Sequence, residues 1–239
     1  VLHLAADGES KFVFAIAESS GGDGLIAHNE IENIAGLRGK TVAVQPGTSR
    51  QFYLNALLRE AGLNETDITT VAKAPGEAGL AFERGEVDAA VTWHPWLART
   101  ALMEHGRLLT DTSRQPGLLV EMVIARGEVL EKRRNEFQAL YRAWLRAVAW
   151  AEKNPNDSAK LIAAGIGRWL RDDDVVKEMR EGIAYYDGPM NESFFGTTAK
   201  PGPLAGTITG AIDIWSGFGK LQTSAKPNEL IGRTVVAGK

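Results

Sequence analysis

Short apolar runs, bounded by glycine and polar clusters, alternate with stretches of helical spacing through the first half of the chain. Phe12 to Ala17 read as a strand that runs into Glu18-Ser19-Ser20-Gly21-Gly22-Asp23-Gly24, a loop rich in glycine and hydroxyls. Leu25 to His28 resume an extended segment, and Ile31 to Leu37 give one or two helical turns. Thr41 to Val44 are β-branched or small, as suits a covered strand, and Pro46-Gly47 break it. Thr48 is placed to cap the next helix, with Gln51 three residues on as the partner of a capping box. Leu54, Leu57, Leu58 and Ala61 recur at helical spacing, and Gly62 is a suitable stop. A second strand–helix unit covers Ile68 to Ala74 and 76–85. A third strand, Val87 to Thr92, leads into Trp93-His94-Pro95-Trp96, where Pro95 fits the first turn of a helix.

Two further strands are predicted at Leu108–Thr110 and Leu119–Ala125, after which the pattern turns helical. Phe137, Leu140, Tyr141, Trp144, Leu145 and Val148 form one apolar stripe that stops at Lys153-Asn154-Pro155. Helical spacing returns near 157–165, 172–182 and 204–216, and Val1 to Ala6 read as the tail of a helix. The alternation of strands and helices predicts an α/β protein with a parallel, doubly wound sheet and ligands at the carboxyl ends of its strands. The helix-rich second half suggests another lobe.

Composition narrows the partners. The 239 residues suffice for a large core, as one domain or two lobes. A net charge of −3 without a block of Lys or Arg speaks against nucleic acid and anionic membrane surfaces. The absence of Cys removes disulfides, thiolate metal sites and cysteine nucleophiles, and His3, His28, His94 and His105 lack metal-ligand spacing. No metal or cofactor is expected. Nor does a nucleophile elbow, P-loop or dinucleotide fingerprint appear. What remains chemically distinctive is the start of the capped helix, where unpaired amides and the hydroxyls of Thr48 and Ser49 suit a small anion. The plain alternative is a well-capped helix with nothing bound.

Several of these motifs keep a familiar order: Ser19-Ser20-Gly21-Gly22-Asp23-Gly24, Leu37-Arg38-Gly39-Lys40-Thr41-Val42-Ala43-Val44, Gly47-Thr48-Ser49, and Gly85 through Trp96. With Phe194-Phe195-Gly196, Pro201-Gly202-Pro203-Leu204 and Trp215 through Gly219, the chain resembles the periplasmic substrate-binding proteins of the nitrate/sulfonate/taurine ABC importers. The resemblance implies a type II periplasmic-binding-protein fold, with two doubly wound lobes and a ligand clamped in the cleft between them. It assigns residues 1–27 and 119–239 to lobe I and 28–118 to lobe II, with crossings near Leu25–His28 and Leu118–Val123. It also implies that the N-terminal part of lobe I is absent, so that the sequence is a fragment.

The same resemblance implies an extracytoplasmic, non-enzymatic receptor that hands a small anionic or zwitterionic ligand to a membrane permease. Thr48 and Ser49 match the hydroxyls that hold the anionic head, and Ser19, Ser20 and Gly21 would face the ligand from the other lobe. Trp93 would cover its organic portion. His94 stands where related sequences carry Trp-Glu-Pro-Trp or Trp-Asp-Pro, so it departs from the usual carboxylate. Glu121 interrupts the apolar run Leu118 to Ile124 and matches an acidic residue that faces the ammonium in taurine-binding relatives. Its structural alternative is a salt bridge to Arg126 or Arg99. Trp144, Trp150, Trp169 and Trp215 are expected in the core. Two other readings carry the same fold: an iron-dependent thiamine-pyrimidine-synthase-like enzyme, whose Cys-rich motif this chain lacks, and a ligand-sensing regulatory domain.

Overall fold

The computed structural model describes residues 9–101, 103–166 and 181–237. The helix expected at Val1–Ala6, Trp169 and most of the expected 172–182 helix lie outside the described residues. The chain divides into two compact units. The first takes residues up to Glu18, Val120–Ile162 and Tyr185 onward; the second takes Ser19–Leu119 and Ala163–Ala184.

The second unit is built on a five-stranded sheet in the order β4-β3-β5-β2-β6. Its strands are β2 (Asp23–His28), β3 (Thr41–Val44), β4 (Thr69–Ala72), β5 (Ala89–Trp93) and β6 (Gly106–Asp111). β3 pairs in parallel with β4 and β5, as the strand–helix alternation predicts. β2 departs from that expectation: it runs antiparallel to both β5 and β6. Its sequence could not reveal this, because a run buried on both faces reads alike in either direction. With hydrogen bonds on both edges, β2 belongs inside this sheet. The chain therefore enters the second unit at Ser19, ahead of the crossing expected at Leu25–His28.

Helices α1 (Ser49–Glu60), α2 (Pro75–Glu83) and α3 (Trp96–Ala101) follow β3, β4 and β5. Ile26, Ala43, Ala78, Ala81, Phe82, Val87, Ala90 and Leu97 form one core cluster between sheet and helices. Asp88, just before β5, fastens that strand to β3. Its carboxylate accepts from the Thr41 amide (2.7 Å) and hydroxyl (2.6 Å), and its own amide donates to the Thr41 carbonyl (3.0 Å).

In the first unit β1 (Ser10–Ser19) runs antiparallel to β7 (Val120–Arg126). The β1–β7 register shifts between Ala15 and Ala17. Beside that irregularity the fully buried Asn191 takes the place of a strand. Its Oδ1 accepts from the Ala15 amide (2.7 Å), and its Nδ2 donates to the Ala15 carbonyl (3.1 Å). Phe14 packs on Tyr141 with ring centroids 5.1 Å apart, and Trp144 donates its indole N–H to the Tyr186 carbonyl at 3.0 Å. Trp215 is buried as expected, whereas Trp150 is 44% exposed on the far side of the apolar stripe and is not a core residue.

Two outcomes follow from these fastenings. Asn191→Ala leaves a buried amide and carbonyl of Ala15 unpaired and is expected to cost about 2–4 kcal/mol in chemical denaturation. Burial would raise the pKa of Asp88, but the Thr41 hydrogen bonds, helped by the charges of Lys40 and His28, outweigh it and hold the carboxyl below its ordinary value. A depressed pKa stabilises the fold above the unfolded value of about 3.9 and loses that contribution as pH falls through the folded value. Asp88→Ala should therefore lower the melting temperature at pH 7, and the gap to wild type should narrow toward pH 3.

Candidate functional site

The sheet order of the second unit brings three sequence-distant segments to one edge. β3 ends at Val44 and turns through Gln45-Pro46-Gly47 into α1; β5 ends at Trp93; and β2, running the other way, begins there at Asp23, in register with Trp93. Thr48, Ser49, Trp93 and His94 are all carried by this edge. So are two residues that the sequence reading passed over, Asp23 and Arg50.

Thr48 caps α1, but in a way that uses up its hydroxyl. The oxygen accepts from the Arg50 amide at 3.3 Å, and its proton goes to the Gln45 carbonyl at 2.8 Å. The expected capping box does not close on Thr48: Gln51 reaches one residue further back and accepts from the Gly47 amide at 2.7 Å. Gln51 is pulled from its other end by Glu65, which also holds Asn55. Ser49, at the first helical position, is exposed, and the first-turn amides there have no intrahelical acceptor.

Arg50 sits at the second helical position, where the positive end of the helix dipole disfavours a cation by about 0.3–1 kcal/mol. Two contacts offset that cost. Its guanidinium carbon lies 4.7 Å from the centroid of the Trp93 ring, and its Nη2 lies 2.8 Å from Asp23 Oδ1. Both side chains of the ion pair are largely buried, with 16% and 12% of their area exposed. The pair is close but misaligned: Asp23 Oδ1 has a charge partner and no hydrogen-bond donor, and Arg50 Nε has no acceptor among the described residues. Trp93 Nε1 and His94 Nδ1 are buried in the same condition. These four atoms are half of the eight buried side-chain atoms without a hydrogen bond among the described residues, so the deficit is concentrated at this edge. Burial also pushes the Tyr53 phenol of α1 well above its ordinary range, with the charges of Asp111 and Asp23 adding to the rise.

Trp93 and Trp96 lie nearly parallel, at 11° with centroids 6.3 Å apart. Trp96 is seated on α2, where a side chain at Gly76 would come within 2.9 Å of the indole. The His94 amide donates to the Gly22 carbonyl at 3.0 Å, which ties the end of β5 to the loop before β2.

That loop is closed on itself. Ser19 Oγ lies 2.8 Å from Thr112 Oγ1 and accepts from the Asp23 amide at 3.0 Å; the Gly21 amide donates to Thr112 Oγ1 at 2.9 Å, and the Ser20 amide to the Gly182 carbonyl at 2.8 Å. Gly22 passes so near Gly182 that a side chain would meet its carbonyl oxygen at 2.6 Å. Ser19, Ser20 and Gly21 thus belong to the second unit, with Thr48 and Trp93, and most of their polar groups are engaged in holding the turn.

Glu121 lies in the first unit, on β7 opposite Ala17, with its side chain exposed. Neither expected salt bridge forms: Arg126 pairs with Glu9 at 2.6 Å and Arg99 with Glu83 at 2.7 Å. The buried carboxylate of that unit is Glu18, which accepts from the Tyr186 hydroxyl at 3.1 Å. No three His, Cys, Asp or Glu side chains converge as a metal-ligand set among the described residues.

Comparison with known proteins gives a consistent picture. A family model described as the NMT1-like family matches residues 10–167. A protein of Brucella abortus named as a binding protein is 24% identical over 233 residues, spanning 95% of this chain and 70% of the relative. An Escherichia coli protein named for binding aliphatic sulfonates is 40% identical over 88 residues, 36% of this chain and 28% of that protein. The crystal structure of the periplasmic aliphatic sulphonate binding protein SsuA from Escherichia coli superposes with a TM-score of 0.77 at 21% identity, covering 99% of this chain and 77% of that one. The fold is that of these periplasmic binding proteins, the type II fold that the sequence motifs imply.

The seating of Trp96 can be checked directly. Gly76→Ala should alter the near-UV circular dichroism of the tryptophans and bring no gain in melting temperature. A stabilised protein with an unchanged spectrum would show that the indole is not anchored on α2.

Proposed function

The chain belongs to the NMT1-like family, and on that premise we propose that it is the solute-binding protein of an ABC importer, taking a small organic anion such as an alkanesulfonate or taurine. The observation that carries this reading is the edge of the second unit where the start of α1, Arg50, Trp93 and His94 meet, with buried donors that lack acceptors. An oxyanion head with several oxygens would satisfy donors that a neutral solute would leave unpaired.

In this reading the first-turn amides of α1 other than that of Arg50, together with the Ser49 hydroxyl, hold the anionic head, and Thr48 acts chiefly by fixing the turn that presents them. The Trp93–Trp96 pair offers apolar surface to the organic portion. His94 contributes a ring nitrogen in place of the carboxylate found in related sequences. Within Ser19–Gly21, the Ser20 hydroxyl is the group left to reach a ligand. Glu121 would serve as the partner of an amine, making the ligand zwitterionic. A periplasmic location and a permease partner come with the same reading, supported by the names of the sulfonate-binding relatives. So does a binding role rather than a catalytic one.

Isothermal titration and thermal shift against ethanesulfonate, taurine, nitrate and ethylamine test the proposal. Stabilisation should grow with concentration as RT ln(1 + [L]/Kd) for ethanesulfonate or taurine and be absent for ethylamine. Taurine binding that weakens in Glu121→Gln, while ethanesulfonate binding does not, would support the amine role of Glu121. Binding to none of the anions at millimolar concentration would overturn the anion-receptor reading.

A further inference from the structure

The sequence points to hydroxyls and helix amides for the anion. The structure places a formal positive charge there as well. Arg50 lies in the first turn of α1, so the guanidinium and the helix dipole add at the same point. The counter-charge is internal: Asp23 is buried, 9% exposed, and reaches Arg50 from the neighbouring segment of the sheet.

We propose that Arg50 is the specificity-determining cation of the site, and that Asp23 occupies it as a resident anion with which the ligand's anionic group competes. The inference rests on the solute-binding reading above and names the charge element within it. Three observations carry it. The Asp23–Arg50 contact is held at 2.8 Å by charge without hydrogen-bond alignment, so a better-directed oxygen gains over it. The guanidinium offers five donors; Asp23 lies against Nη2, and the buried Nε has no acceptor among the described residues. The Trp93 ring lies with its centroid 4.7 Å from the guanidinium carbon, a contact that keeps Arg50 at the site while its carboxylate partner is exchanged.

The consequence is a site that is close to neutral when empty. A simple anion gains attraction from Arg50 and meets repulsion from Asp23, so charge by itself confers little affinity. A head group with two or more oxygens engages the guanidinium fork and the helix amides together, and is thereby preferred over monatomic anions.

The test is titration of ethanesulfonate and chloride into wild type, Arg50→Gln, Arg50→Lys and Asp23→Asn, at low and moderate salt, with near-UV circular dichroism to confirm folding. Arg50→Gln should weaken ethanesulfonate by about 10- to 100-fold, as expected for loss of a charged hydrogen-bond donor. Arg50→Lys should recover part of that loss, since it restores charge without the fork. Asp23→Asn should bind ethanesulfonate several-fold more tightly, gain measurable chloride binding and show a steeper salt dependence.

A folded Arg50→Gln with affinity within twofold of wild type would overturn the role of Arg50. Asp23→Asn binding more weakly than wild type, with no gain in chloride affinity, would overturn the competition and leave Asp23 a positioning residue. If Arg50→Gln does not fold, Arg50→Lys and Asp23→Asn decide the matter by the same criteria. If wild type binds taurine and not ethanesulfonate, taurine takes its place in the same comparison; wild type that binds none of the anions fails the solute-binding reading itself, a result distinct from either variant outcome.

Discussion

The reversed strand β2 is the constraint on which the rest of the second unit depends. Its hydrogen bonds to β5 on one side and β6 on the other fix a register in which Asp23 stands opposite Trp93. The hydrogen-bond ladders along both of its edges hold that register. Through that pairing a carboxylate from the beginning of one strand meets a tryptophan from the end of another. Arg50, delivered by the turn after β3, completes the group.

Electrostatics explains why that group is arranged as it is. A cation at a helix N-terminus is unfavourable, and a buried carboxylate is more so. Each is tolerated because the other is present, while the aromatic ring holds the guanidinium in place. A buried ion pair of this kind contributes little net stability. The pair and the buried donors that lack acceptors stand together at this one edge of the sheet. The Ser19–Gly22 turn, by contrast, engages the Ser19 hydroxyl and the Ser20 and Gly21 amides through Thr112 and Gly182.

The first unit solves a related backbone problem with a side chain. Beside the register shift of β1 against β7, the Asn191 carboxamide supplies both a donor and an acceptor to the backbone of Ala15. Its buried carboxylate, Glu18, is held by Tyr186, while Glu121, which stands out in the sequence as a charge within an apolar run, lies on the exposed side of its strand. An isolated polar residue in an apolar run marks a face change as readily as a buried charge.

Local chemistry sufficed for much of this. The strand at Thr41–Val44, the turn at Pro46-Gly47, the Thr48 cap, the helix to Glu60 and the strand ending at Trp93 are set by side-chain shape, backbone preference and spacing within a few residues, and the ordered motifs pointed to the family. One further signal was legible and unused: an arginine in the first turn of a capped helix, where acidic residues are favoured, asks for a counter-charge. The sequence could not say which residue supplies it. The reversal of β2, the use of Thr48's hydroxyl by its own turn, the diversion of Gln51 to Gly47 and Glu65, and the meeting of Asp23 with Arg50 depend on which strands become neighbours. Strand neighbours are chosen by packing over the whole sheet, and no periodicity along one segment records that choice.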